Sequence, residues 1–258
     1  MVIDCHAHLS GGGDGKGGIS PYDEDVLEAA DSLGIDAICA SILCERPASV
    51  EGFQESNRKL AELVRRFPGK VLGYAFVNPG HQRAAIDEVR RCVEEFGFIG
   101  VKLYNEYKCT DPVVWPIVET AIALRVPILE HAGHSHFPIP RQPNISDGGD
   151  LAELARRYPE AMLICGHIGG GGDWEWTIKA LRSAPGVYLD TSGSVFDDGM
   201  IDMAARVLGT DRLLFGCDIS WSAGIAKVRA AHLPEEAKRM VLGGNMEKIL
   251  ARRGGKTC

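Results

Sequence analysis

Eight short apolar runs recur along this chain, at residues 2–5, 37–42, 71–77, 100–103, 127–129, 162–165, 187–189 and 213–215. They are rich in Val, Ile and Leu and too short for helices, as expected of parallel strands buried on both faces. Segments with helical spacing and a charged face lie between them, at 23–33, 54–67, 83–95, 151–157, 176–182 and 201–208, with 235–242 and 246–251 after the last run. Parallel strands need crossover connections, and helices supply them. Eight such units in 258 residues predict an α/β protein, a single (β/α)8 TIM barrel, with residues 1–258 as one domain. An open, doubly wound sheet would instead carry a glycine-rich phosphate turn leading straight into a helix after the first strand. Here a long loop intervenes. Its run Gly11-Gly12-Gly13-Asp14-Gly15-Lys16-Gly17-Gly18 has neither Walker nor dinucleotide spacing and reads as flexible.

The charge balance narrows the partners. A formal net charge of -7 opposes a nucleic-acid or anionic-membrane surface, which needs a basic stripe. The pairs Arg65-Arg66, Arg156-Arg157 and Arg252-Arg253 fall near predicted helix ends, where the helix dipole favours cations. Of the eight cysteines, Cys5, Cys39, Cys165 and Cys217 lie inside apolar runs, and no close CxxC pair occurs. That usage predicts reduced, buried thiols and a cytoplasmic protein. No run is long enough to span a membrane, and the opening Met-Val-Ile-Asp-Cys-His has no basic leader pattern. The expected partner is a small-molecule substrate, with no nucleic acid and no membrane, and homo-oligomerisation is left open.

Chemistry concentrates at the strand ends. The first run leads into Asp4-Cys5-His6-Ala7-His8, and side chains at i and i+2 of a strand point the same way, so His6 and His8 can converge on one ion. The fifth, sixth and eighth runs end in Leu129-Glu130-His131-Ala132-Gly133, Cys165-Gly166-His167-Ile168-Gly169-Gly170 and Phe215-Gly216-Cys217-Asp218. Barrel enzymes assemble their sites at the C-terminal ends of strands, and imidazoles with a carboxylate suit zinc and similar divalent ions. Glu130 precedes His131 and is expected to point away from it, in a supporting role. Close backbone approach accounts for Gly169–Gly172 as well as a phosphate nest would.

These segments, with Gly100-Val101-Lys102-Leu103, Asp190-Thr191-Ser192-Gly193 and Gly244-Asn245, resemble the amidohydrolase superfamily. More narrowly, they resemble the amidohydrolase-related group that also contains metal-dependent decarboxylases. The resemblance covers nearly the whole chain. It implies that His6, His8, His131 and Asp218 bind a catalytic metal, and that His167 binds a second metal or the substrate carbonyl. One or two ions are implied, with zinc first and manganese, iron or nickel as alternatives. Lys102 has three readings: a carboxylated bridging ligand, a substrate-carboxylate contact, or a structural lysine. Tyr104 stands where many relatives carry histidine. Lys102 and Tyr104, with His134 and His136 on the loop after the fifth run, are the candidate substrate contacts.

The expected activity is a metal-dependent hydrolase of a small amide, ester or lactone. A bound divalent ion lowers the pKa of its water to about 7, and Asp218 would take that proton, with His167 polarising the carbonyl. Lys102 is the single cation within the strand-end motifs, which favours hydrolysis over decarboxylation, although Arg46 and Arg141 in loops could reach in. A non-oxidative decarboxylase is the alternative. A TatD-like deoxyribonuclease is opposed by Gly-Val-Lys-Leu in the fourth run, and a silent binding barrel by the complete donor set.

Overall fold

The backbone groups of the eight runs find their partners in sequence order. A computed structural model describes residues 1–12 and 19–253. In it β1 (Ile3–His8), β2 (Ala37–Ser41), β3 (Val71–Phe76), β4 (Gly100–Leu103), β5 (Ile128–Glu130), β6 (Leu163–Cys165), β7 (Val187–Asp190) and β8 (Leu213–Leu214) pair in parallel as neighbours. The sheet then returns on itself. Cys5 N donates to Phe215 O at 2.8 Å and Asp218 N to His6 O at 2.7 Å, so β8 meets β1 and the predicted (β/α)8 barrel forms. The expectation of flexibility for the glycine-rich run falls on residues 13–18, outside the described residues.

Helices cross between the strands: α1 (Pro21–Ser32), α2 (Val50–Arg66), α3 (Arg83–Glu94), α4 (Trp115–Leu124), α5 (Gly148–Arg157), α6 (Trp174–Leu181), α7 (Met200–Leu208) and α8 (Trp221–Ala230). Then come α9 (Glu235–Arg239), a π-helical turn (Met240–Gly244) and α10 (Asn245–Ala251). Several starts are capped from the sequence. Ser20 accepts from Asp23 N, Ser49 from Gly52 N, and Asp147 with Asp150 forms a reciprocal capping box on α5. Two further helices, α4 and α8, escape the amphipathic pattern because α4 carries a single charge, Glu119, and α8 mixes Gly, Ser and Ala with its apolar residues.

Two apolar layers result. One lies between strands and helices; the other fills the lower lumen with Ile3, Cys5, Ala37, Cys39, Tyr74, Leu129, Ile164 and Leu214. Met246 and Ile249 of α10 join the second layer and close its floor. Each fully buried aliphatic or aromatic side chain there contributes roughly 1.5–3 kcal/mol. Cys5, Cys39, Cys165 and Cys217 are buried free thiols, as predicted. Among the described residues no helix is long and apolar enough to cross a membrane.

A slip of register in β1 positions the chemistry. Asp4 pairs with Ile38 but Ala7 pairs with Ala40, so one extra residue is accommodated between them. Such a bulge reverses which parity faces inward. Below it Ile3 and Cys5 fill the lumen; above it Ala7 packs outward, and His6 and His8 turn in.

Candidate metal centre

On β4 the neighbours Val101 and Leu103 pack into the outer layer, so the alternation of a strand sends Lys102 into the lumen. Its Nζ lies 2.9 Å from His6 Nε2. The other nitrogen of His6 is held by Asp190, with Nδ1 to Oδ2 at 2.7 Å. His8 is set the same way: Ser41 Oγ lies 3.1 Å from its Nδ1, and its Nε2 faces Asp218 Oδ1 at 3.3 Å. Ligand atoms of His6, His8 and Asp218 all fall within 4.8 Å of one another. His131 reaches this group through His167, their rings joined Nδ1 to Nε2 at 2.9 Å. His131 Nε2 is held by Gln142 at 3.0 Å and His167 Nδ1 by Ser192 Oγ at 2.9 Å.

Two of these residues leave their strands in left-handed backbone, His167 at φ 64° and Asp218 at φ 56°. Residues with a Cβ persist there only where the surroundings over-determine them. Both are pinned from across a strand boundary: His167 N donates to Asp190 Oδ1 at 3.0 Å, and Asp218 N to His6 O at 2.7 Å. Asp190 therefore fixes His6 and His167 at once. His6, His167 and Asp190 also satisfy the spacing of a donor cluster, but Asp190 is already engaged with the nitrogen of His6 that points away from Lys102. That engagement makes the second group a support, and leaves His6, His8 and Asp218 as the residues that could hold an ion.

Burial sets the protonation states. It pushes His6 and His167 well below the usual histidine range and His8 and His131 down to about 3, with the Lys102 charge acting in the same direction. Neutral imidazole is the metal-binding form. Burial also pushes Lys102 down to about 8, against the pull of Asp218 and Asp190, and Asp218 up to about 6, against Lys102. The chemistry of the set fits a divalent cation. Two oriented imidazoles and a carboxylate present lone pairs to one point, and the Lys102 ammonium lies against the Nε2 that a cation would share.

The remaining candidates separate into two places. Tyr104 stacks on His131, with ring centres 4.0 Å apart, and the Arg46 guanidinium lies 4.1 Å from the Tyr104 ring centre on a bond to Asn105 Oδ1 of 3.2 Å. Arg46 thus stands at the mouth, whereas Arg141 is exposed. His134 and His136 turn instead to Asp147, Asp173 and Trp176. Glu130 points away from His131 as expected, accepts from Ser146 Oγ at 2.7 Å, and is pushed up to about 8 by burial. At Gly170 a Cβ would come within 2.3 Å of Ala132 O, so backbone approach explains that glycine. Sequence reasoning assigned no role to Asp190, Ser192, Ser41 or Gln142. Asp190 and Ser192 had a signal, in the Asp190-Thr191-Ser192-Gly193 segment after the seventh run.

The amidohydrolase family model matches residues 3–252. The chain belongs to the amidohydrolase family. This amidohydrolase is 26% identical over 236 residues to a gamma-resorcylate decarboxylase of Polaromonas sp., covering 72% of this chain and 71% of that one. It is 22% identical over 229 residues to a 2-keto-4-carboxy-3-hexenedioate hydratase of Sphingobium sp., covering 76% and 67%. Its fold matches a dihydroxybenzoic acid decarboxylase of Polaromonas sp., solved with bound manganese and the inhibitor 2-nitroresorcinol, at a TM-score of 0.72, 20% identity and 98% of each chain. The expectation of hydrolysis is overturned by these relatives, among which the alternative, decarboxylation, is represented and hydrolysis is not. The physical reason lies in Arg46. Lys102 is the single cation within the strand-end motifs, but the fold brings the loop residue Arg46 onto Tyr104, which stacks on His131.

Proposed function

We propose that this amidohydrolase is a metal-dependent decarboxylase of a small aromatic carboxylic acid. The observation that carries the reading is the pair of cations around the donor cluster, Lys102 against His6 and Arg46 over Tyr104. A substrate that loses a carboxylate must first have it held, and guanidinium and ammonium groups do that. Exposed Tyr22 and Ile219 add apolar surface: the Tyr22 hydroxyl reaches the His8 carbonyl at 3.4 Å, and Ile219 follows Asp218. That suits an aromatic body.

His6, His8 and Asp218, with His131 alongside, would hold one divalent ion, and the manganese of the structural neighbour makes that ion the first to load. Bound there, it supplies a Lewis acid for substrate oxygens. Asp190 and Ser41 hold His6 and His8 in their binding orientation, and Arg46 and Lys102 orient the carboxylate. Lys102 acts as an uncarboxylated ammonium. Asp218, just past the end of the last strand, carries the proton. The bond from ring carbon to carboxylate breaks, carbon dioxide leaves, and the electron pair left on carbon takes that proton. His167 keeps His131 in place through their shared hydrogen bond.

Manganese-loaded protein should be incubated with a panel of hydroxybenzoic and carboxyphenol acids in heavy water. Carbon dioxide should be released, with one deuterium placed on the vacated ring carbon. A product heavier by one water with no carbon dioxide, as a hydratase would give, sinks the proposal.

A further inference from the structure

A second group of donors stands apart from the one just described. His134 and His136 lie on the loop after β5, and Asp173 lies at the start of α6. Ligand atoms of the three fall within 4.8 Å of one another. Asp173 Oδ2 is 3.1 Å from His136 Nε2 and 3.9 Å from His134 Nε2. Both ring atoms are the nitrogens that histidine most readily gives to a metal.

Two helix caps preorganise this group. Asp173 uses Oδ1 to cap α6, accepting from Trp176 N at 3.1 Å, which leaves Oδ2 for the histidines. Asp147 divides its oxygens in the same way: Oδ1 caps α5, and Oδ2 holds His134 Nδ1 at 2.9 Å. A carboxylate on Nδ1 that turns Nε2 toward the ion is the usual support of a metal-binding histidine. The His134 ring is further fixed by stacking on Trp176, with centres 4.5 Å apart. The backbones of the two loops are laced together, His134 N to Gly170 O at 2.8 Å and Asp173 N to His134 O at 3.2 Å. Their approach is so close that a Cβ at Gly171 would meet His134 O at 2.3 Å. A cavity of about 480 Å³ opens beside His136 and Asp173, walled by Trp174, Trp176 and Lys179. It leaves room for the water that completes a coordination shell.

The geometry points to a second metal site, a His134–His136–Asp173 clamp for a zinc-class divalent ion that ties the loop after β5 to the loop after β6. Two nitrogens and one oxygen, with a second carboxylate close by, favour a borderline ion over calcium or magnesium, which take oxygen shells. His136 is 78% exposed, so an ion reaches the site from solvent without passing the barrel mouth. The loops it joins carry Gln142, which holds His131, and begin at His167. The site does not depend on the reaction proposed above.

Cobalt(II) is the probe, added to full-length protein whose mouth has been filled with manganese, with zinc as the competitor. Wild type should take up one further equivalent, with visible d–d absorption that zinc abolishes. Asp173→Asn keeps a good helix cap and so preserves the fold, and His136→Ala removes an exposed side chain. Each should weaken uptake by at least about tenfold, the lower end of what a lost supporting contact does to metal affinity. The double variant His6→Ala with His8→Ala should keep this equivalent while losing the one at the mouth. Equal uptake and affinity in wild type, Asp173→Asn and His136→Ala would overturn the clamp. So would the absence of any equivalent beyond the mouth.

Discussion

The lower and upper halves of the barrel lumen are lined by the same strands yet have opposite chemistry. Below the bulge in β1, Ile3, Cys5, Ala37, Cys39, Leu129, Ile164 and Leu214 pack with no charge among them. Above it, His6, Lys102, His167 and Asp190 are buried almost as fully. Burial stabilises the first set. For the second it opposes charge, and each group persists only because a partner or a shifted protonation state offsets the loss of water. One or two residues further along a strand, the lumen passes from a region that holds the fold together to one maintained at the fold's expense.

Variants in the two halves should therefore fail differently. The largest effect belongs to His6→Ala combined with His8→Ala. Elemental analysis should find the equivalent at the barrel mouth lost, and turnover should fall by at least ~10³-fold, beyond the roughly 10–100-fold of a residue that only orients a ligand. Full metal retention would remove the upper lumen's distinction. Next is Ile164→Ala, which should lower the unfolding free energy by about 2–5 kcal/mol in denaturant titrations while leaving metal stoichiometry unchanged. Loss of metal in that folded variant would mean the two halves are coupled. Asp190→Asn should weaken metal affinity about 10–100-fold, read by chelator competition, with a smaller change in stability. The smallest effect is on stability in Lys102→Met. Removing a buried amine should raise the unfolding free energy of the metal-free protein by about 1 kcal/mol, even as decarboxylation is lost. A fall in stability instead would show that Lys102's contacts outweigh its desolvation.

The fold was legible because strands buried on both faces leave a periodic mark, and eight of them with helical connections admit few architectures. The mark fails where burial is uniform or the composition bland, as in α4 and α8. Strand-end histidines and Asp218 were visible from local order alone. The supports were not, since Ser41 serves His8 from 33 residues away and Asp190 serves His6 from 184. Spacing also gave no hint of the register slip in β1. The misjudged reaction had the same origin. Arg46 counts as a loop residue in sequence and as a mouth residue only once Tyr104 and Asn105 are folded beneath it.

The seam where β8 meets β1 also sets an order of events during synthesis. Cys217 N bonds Asp4 across 213 residues, and Asp218 joins His6 and His8 over nearly the same span. At about 5–20 residues per second on the ribosome, roughly ten to forty seconds separate the emergence of the histidine pair from that of its carboxylate. If these residues hold the ion as proposed, His6 and His8 alone would bind it only loosely for that interval, and it would exchange freely. Selection of the ion would then be deferred until the last strand docks, with the metal chosen by a finished cage and not by a nascent peptide.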